Sequence, residues 1–285
     1  MITDADVERW LREDVGHHDV TNHVPGETTG RLVAKESGVV AGLDAALAVF
    51  DYLGVEASAA DDDGDPVTDG DRVAAGETVV RAEGRARDVL RAERVAVNLV
   101  GHASGIATKT RRAATAAREG AEQSDHADPD DVRVAATRKT TPGLRGIEKR
   151  AVVAGGGDTH RLDLSHAVMV KDNHVTELGL ETAVEQFREQ VSFTTKIEVE
   201  VERPTDGVRA AEAGADIVLF DNLPPAAVRD GVAALPSDTL SEASGGIEVA
   251  DVPAYAATGV DAISMGALTH SASVLDFSFR TGESS

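Results

Sequence analysis

From Thr195 to Gly266 the chain reads TKIEVEVERPTDGVRAAEAGADIVLFDNLPPAAVRDGVAALPSDTLSEASGGIEVADVPAYAATGVDAISMG, and this stretch decides the fold. Four short β-rich runs, TKIEVEVE, ADIVLF, LSEAS and VDAISM, alternate with helical patterns near 205–213, 224–234 and 249–258. Upstream, VRVAAT and HAVMV extend the series of strands. Repeated strand–helix units imply a parallel sheet with helical crossovers, because parallel neighbours cannot be joined by a tight turn. Such a sheet closes toward a barrel or stays open and doubly wound. The strand ends favour the barrel. VMV runs into Lys171-Asp172-Asn173-His174, DIVLF into Asp221-Asn222, LSEAS into Gly245-Gly246 and AISM into Gly266. Polar and glycine residues at strand carboxyl ends are where a β/α barrel builds its site, with phosphate often held by the last glycine-bearing loops.

Toward the amino terminus the pattern changes. Residues 3–14 read as a short helix, with Thr3 and Asp6 at capping-box spacing. Between 30 and 84, short strands alternate with tight turns around one helix at about 43–53, which makes a small α+β unit. The DDDGD turn at 61–65 lacks the spaced ligands and closing Glu of a calcium loop and reads as a solvated turn. Residues 86–119 form a long helical stretch in which Gly101 and Gly105 are candidate breaks or kinks.

The chain has 285 residues, no cysteine and a formal net charge of -22. Disulfide and thiolate chemistry are therefore excluded, and so negative a field argues against nucleic-acid binding. No run of eighteen apolar residues predicts a membrane span, and the acidic start does not resemble a secretory signal, so a cytoplasmic protein is expected. Self-repulsion of this size is tolerated where salt screens it, which points to a halophilic source.

Against that background the segment 137–174 is net basic. It carries Arg138, Lys139, Arg145, Lys149, Arg150, Arg161 and Lys171 against Glu148, Asp158, Asp163 and Asp172. Only six lysines occur in the chain, and four of them fall between 139 and 196. This is the pattern of a pocket for a highly anionic small molecule, since Arg forks and Lys point charges both suit carboxylates and phosphates. Glu198, Glu200 and Glu202 share one face of a strand and must meet cations or a polar ligand if buried. Asp221 adds a second carboxylate at the same rim, and two carboxylates there suit ribose hydroxyls or a water-rich magnesium site. His160, beside Arg161, is placed to help orient an anionic ring. Gly245-Gly246, between a strand and a helix, can offer backbone N–H groups to phosphate. His17, His18 and His23 have no partner motif and read as a surface cluster, and no P-loop or dinucleotide fingerprint is present.

Five ordered blocks carry a resemblance: ERVAVNLVGHASGIAT, TRKTTPGLRGIEKRAVVAGGG with HR, VMVKDNH, EVEVE, and DN followed by EASGGI and GVDAISMGALTHS. In these the chain resembles the quinolinate phosphoribosyltransferase family. The resemblance implies an incomplete β/α barrel over 109–270, preceded by an N-terminal α+β sandwich domain over 1–108, with 271–285 returning to the N-terminal domain. It implies a magnesium-dependent reaction in which quinolinate and phosphoribosyl pyrophosphate give nicotinate mononucleotide, pyrophosphate and CO2. It also implies a homodimer or a hexamer built as a trimer of dimers, with sites shared between subunits. By the same resemblance Arg138, His160, Arg161 and Lys171, with Arg94 from the partner subunit, bind quinolinate. Lys139, Glu200, Asp221, Ser244, Gly245, Gly246, Gly266 and His270 bind phosphoribosyl pyrophosphate. Lys139, Lys171, Glu200 and Asp221 are the expected catalytic residues, and Glu200 and Asp221 the expected metal ligands, directly or through water. A pyrophosphorylase-like protein associated with molybdenum uptake and a nicotinate-specific transferase share parts of this pattern. KDNH and the full cationic set favour a dicarboxylate substrate.

Overall fold

Thr3 opens the first helix as the sequence predicts. Its hydroxyl accepts from the Asp6 amide while the Asp6 carboxylate reaches back to Thr3. The structure, a computed structural model, describes residues 2–282. In chain order the elements begin with α1 Asp4–Val15, β1 Glu27–Ala34, β2 Gly38–Val39, α2 Leu43–Tyr52, β3 Glu56–Ser58, β4 Arg72–Val73, β5 Thr78–Arg85 and α3 Ala86–Glu122. They continue with β6 Arg133–Ala136, α4 Arg145–Ala154, β7 Val168–Val170, α5 Asp172–Leu178, α6 Leu180–Gln190, β8 Ile197–Val201 and α7 Pro204–Glu212. The series ends with β9 Ile217–Asp221, α8 Pro225–Ala234, β10 Leu240–Ser244, α9 Val252–Ala256, β11 Ala262–Met265, α10 Ala267–His270 and β12 Phe277–Thr281.

These elements form two units. The first takes the chain up to Lys109, Gly143–Gly156 and the chain from Ala272; the second takes Thr110–Pro142 and Gly157–Ser271. In the first unit an antiparallel sheet runs β12-β1-β5-β3. Leu32 and Phe279 are register partners, and the rings of Phe50 and Phe279 stack at 5.9 Å over the buried face. Gly30 is required there, because a Cβ would lie 2.3 Å from the Phe279 ring. Helix α3 runs for 37 residues without interruption. Of the break or kink considered at Gly101 and Gly105, the break does not occur. These glycines instead admit a neighbouring strand of chain, since a Cβ on Gly105 would lie 2.0 Å from the Ser273 carbonyl oxygen.

The second unit is a six-stranded parallel sheet in the order β6-β11-β10-β9-β8-β7, with helices between strands. Among the described residues the end strands β6 and β7 do not pair, so this is the incomplete barrel rather than a closed one. Glu198 on β8 and Glu242 on β10, two strands apart, converge on the same His160 nitrogen. Ile197, Val199 and Val201 are buried outward, while Glu198 and Glu200 take the inward face. Helices α7 and α8 press on β9 at Gly207 and Gly231, where a Cβ on Gly231 would meet the Phe220 ring at 2.5 Å.

Candidate active site at the strand carboxyl ends

Inward-facing side chains and the loops that follow their strands line a cavity of about 550 Å³ in the second unit. Arg138, Lys139, His160, Arg161, Lys171, Glu200, Asp221, Ser244, Gly245, Gly246, Gly266 and His270 all line it. Arg94 does not; it lies on α3 in the first unit with its side chain 60% exposed, 3.8 Å from Glu93. The basic segment also divides. Arg145, Lys149 and Arg150 are on α4, in the first unit, where Arg150 lies 3.4 Å from Asp44 and Lys149 is buried. They are absent from the cavity lining because the segment folds into a helix whose amphipathic face belongs to another core. Glu202, expected to share the inward face with Glu200, is exposed beyond the end of β8.

The cationic half of the cavity comes from β6, from the turn at 158–161 and from β7. Asp158 bridges to Ala135 of β6, and its carboxylate accepts from the His160 amide at 2.6 Å, which fixes the turn. Arg161 is nearly buried. Its Nη2 lies 2.8 Å from Met169 Sδ and its Nη1 3.5 Å from the Ala167 carbonyl, while Nε has no hydrogen-bond partner. Arg138 likewise has a buried Nε without a partner. Two orphaned guanidinium N–H donors in one cavity are uncommon, since native structures rarely leave buried polar groups unmade. Burial pulls the Arg161 pKa down, only partly opposed by nearby carboxylates.

The acidic half lies across the cavity. Lys171 Nζ donates to Glu200 Oε2 at 3.0 Å, with the two side chains 48% and 18% exposed. Asp221 is held up from the ordinary carboxylate range, first by burial and then by the charge of Glu200. Asn222 follows with φ +55°, donating from its side chain to Asp221 and from its backbone to the Ser244 carbonyl. Gly245, at φ +100°, is the glycine this turn demands, because a Cβ would lie 2.4 Å from Asn222 Oδ1. Ser264 donates to Ser244 Oγ at 2.9 Å, and Lys139 lies against Gly266, where a Cβ would meet its Cδ at 3.0 Å. Thr269 donates to the Lys139 carbonyl at 2.7 Å and holds that lysine's backbone.

Beneath this rim is a deeper layer. His160, at φ +49°, points Nε2 at Glu242 Oε2 at 2.9 Å and at Glu198 Oε2 at 3.6 Å. Burial alone would push its pKa down, but the two carboxylates outweigh burial and push it up to about 10. The Arg161 amide lies 2.7 Å from Nδ1, a contact suited to a neutral ring; two carboxylates on the other nitrogen favour the charged one. Burial, with the charge of Glu242, raises Glu198. Asn222 is legible in the sequence only as a polar residue at a strand end, and Glu242 is not singled out there. For Glu242 a signal existed, since it shares a face with Ser244 by the period of two.

Residues 18–104 match the quinolinate phosphoribosyl transferase N-terminal domain, and residues 106–280 the C-terminal domain. The probable carboxylating nicotinate-nucleotide pyrophosphorylase of Methanothermobacter thermautotrophicus is 44% identical over 282 residues, covering 95% of this chain and 96% of that one. The human carboxylating nicotinate-nucleotide pyrophosphorylase is 40% identical over 280 residues, covering 96% of this chain and 90% of its own. The solved nicotinate-nucleotide pyrophosphorylase from Francisella tularensis superposes with a TM-score of 0.87 at 29% identity, covering 99% of this chain and 98% of that one. With both domain models matched in order along one chain, this protein belongs to the quinolinate phosphoribosyl transferase family.

Proposed function

We propose that this chain is a carboxylating nicotinate-nucleotide pyrophosphorylase of NAD biosynthesis. It transfers the phosphoribosyl group of phosphoribosyl pyrophosphate to quinolinate, releasing pyrophosphate and CO2 and leaving nicotinate mononucleotide. The observation that carries this reading is the pair of buried, unpartnered Nε groups of Arg138 and Arg161, flanked by Lys139 and Lys171, in a chain of net charge -22. A cavity so built suits a ligand with more than one carboxylate, because each guanidinium N–H gains the hydrogen bond that burial denies it.

The division of labour follows from the two halves. Arg138 and Arg161 hold the dicarboxylate so that the ring nitrogen faces C1 of the ribose, which converts an encounter into an oriented reaction. Glu200 and Asp221 take the ribose side, where positive charge develops at C1 as pyrophosphate leaves. Lys139 and Lys171 stabilise the negative charge that builds on the leaving group. Ser244, Gly245, Gly246, Gly266 and His270 surround the phosphate side. Loss of CO2 leaves an electron pair on the ring carbon beside the alkylated nitrogen, whose positive charge stabilises it until a proton is taken up. No nucleophile from the protein is needed.

Magnesium suits the acidic half. Glu200 and Asp221 are close enough that one raises the other's pKa, a repulsion that a divalent cation between them would relieve. Glu200 and Asp221 are the residues that would hold it, directly or through water, and when bound it would neutralise charge on the pyrophosphate. We further read the enzyme as cytoplasmic, at home in high salt, and working as a dimer or larger assembly in which Arg94 of one subunit serves its neighbour's site. Among the described residues no helix is long and apolar enough to cross a membrane.

The test is product formation from quinolinate and phosphoribosyl pyrophosphate with magnesium in molar KCl. Nicotinate mononucleotide and CO2 should appear in equal amounts. Folded protein that makes neither, or that accepts nicotinate instead, would sink the proposal. Subunit sharing has its own test. Mixtures of Lys171→Ala and Arg94→Ala proteins that exchange subunits should regain part of the activity that each lacks alone.

A further inference from the structure

The function proposed above gives Glu200 and Asp221 work and leaves two carboxylates on the same inward faces without any. Glu198 precedes Glu200 by two residues on β8, and Glu242 precedes Ser244 by two on β10; their side chains are only 1% and 3% exposed. Both converge on His160 Nε2, at 3.6 and 2.9 Å. In each carboxylate the second oxygen, Oε1, is buried without a partner. The His160 ring and the Arg161 guanidinium lie beside these two carboxylates, in a place where a lone carboxylate would be costly to bury.

His160 needs such an anchor. A left-handed φ of +49° strains a residue with a Cβ unless its surroundings hold it. Arg161 follows directly, and its guanidinium makes no ion pair within 4 Å among the described residues. Its contacts are the Met169 sulfur and a long approach to the Ala167 carbonyl. What directs Arg161 into the cavity is therefore its backbone, and that backbone is set one residue earlier.

We propose that Glu198 and Glu242 are positioning residues for the dicarboxylate: by clamping the His160 ring they fix its left-handed backbone, and so aim Arg161 at the substrate. This rests on the dicarboxylate reading of the cavity. The same His160, Glu198 and Glu242 atoms lie within 4.8 Å of one another and could in principle hold a metal ion. The adjacent Arg161 charge, which would repel a metal cation, speaks for the clamp.

Kinetics with both substrates on Glu242→Asp and Glu242→Gln separate position from charge. Asp keeps the charge but withdraws the carboxylate by one methylene; Gln keeps the length and an acceptor but loses the charge. The clamp predicts a KM for quinolinate raised about 10- to 100-fold in the Asp variant. The Gln variant should show a smaller rise, and the KM for phosphoribosyl pyrophosphate should stay within about twofold in both. Glu198→Asp and Glu198→Gln repeat the contrast at the longer contact should a Glu242 variant not fold. His160→Asn, which tolerates the left-handed backbone but cannot reach both carboxylates, should match the Asp variants. An unchanged quinolinate KM in folded Asp variants, or a Gln effect that equals or exceeds the Asp effect, would overturn the clamp. So would a stoichiometric transition metal in the purified protein that Glu242→Gln loses. Wild-type protein that does not turn over quinolinate at all would instead remove the functional reading, and this one with it.

Discussion

Glu198 and Glu200 occupy the same face of one strand, two residues apart, and their environments could hardly differ more. Glu198 is sealed against His160, with one oxygen left without a partner. Glu200 shares an open rim with Lys171, whose side chain is half exposed. The deep pair is shielded from water and cannot exchange partners cheaply. The rim pair is screened, weak and free to trade its partner for a ligand. One step of the strand period thus separates a sealed charge from an accessible one.

Breaking the deep pair should give the largest effect. Glu198→Ala leaves the imidazolium and Glu242 imperfectly matched in a buried layer, and urea unfolding should show a loss of about 3–5 kcal/mol. A loss below about 1 kcal/mol would mean that the layer is wetter than the geometry indicates. The rim should behave in the opposite way. Lys171→Ala should change stability by less than about 1 kcal/mol while lowering kcat/KM by about 10²- to 10³-fold. If Lys171→Ala unfolds the protein and Glu198→Ala merely slows it, the comparison is inverted and wrong.

The same contrast governs what was legible in the sequence. The parallel series was readable because strand and helix periods alternate cleanly from Thr195 to Gly266, and the rim was readable because each strand ends in residues that core packing would not choose. Glu200, Asp221, Lys171 and the glycines were found that way. Helix α4 was missed as an element, so Arg145, Lys149 and Arg150 were counted with the pocket although they fold into the first unit. Gly101 and Gly105 show a related ambiguity: a glycine that breaks a helix and one that lets chain approach it look alike until the approaching Ser273 is placed. Glu242 escaped because its meaning depends on Glu198 and His160, 44 and 82 residues away in sequence, and no local period reports such a meeting. Arg94 came only from the family resemblance; on its helix it is an exposed arginine like others.

A pH series sharpens the comparison at smaller scale. His160 is pushed up to about 10 in the folded protein, above an unfolded value of about 6.5. Its contribution to stability is therefore fully present below about pH 6.5 and is lost as pH rises through about 10. Glu198, also raised, by burial, acts in the same direction. Between pH 7 and 10 the melting temperature should fall by at least about 2–4 °C, the equivalent of ~1 kcal/mol. His160→Gln should flatten that slope. A wild-type midpoint that rises with pH would exclude a charged His160 between Glu198 and Glu242.

The smallest effect is expected just beyond the end of β8, where Glu202 lies exposed. It has the sequence spacing of the other two glutamates and none of their confinement. Glu202→Gln should stay within about 0.5 kcal/mol of wild type in urea. Its sign should depend on salt. At about 0.1 M KCl the Debye length is about 10 Å, so removing one negative charge from a chain at -22 relieves self-repulsion and stabilises slightly. In molar KCl the length falls to about 3 Å, and the difference should vanish. Glu198→Ala, shielded from the salt, should keep its cost under both conditions. Three glutamates at one sequence spacing would then sort by depth alone: insensitive to salt at the bottom, exchangeable at the rim and screened outside. If the Glu198→Ala penalty also faded in molar salt, the deep layer would be open to ions and the distinction between clamp and rim would collapse.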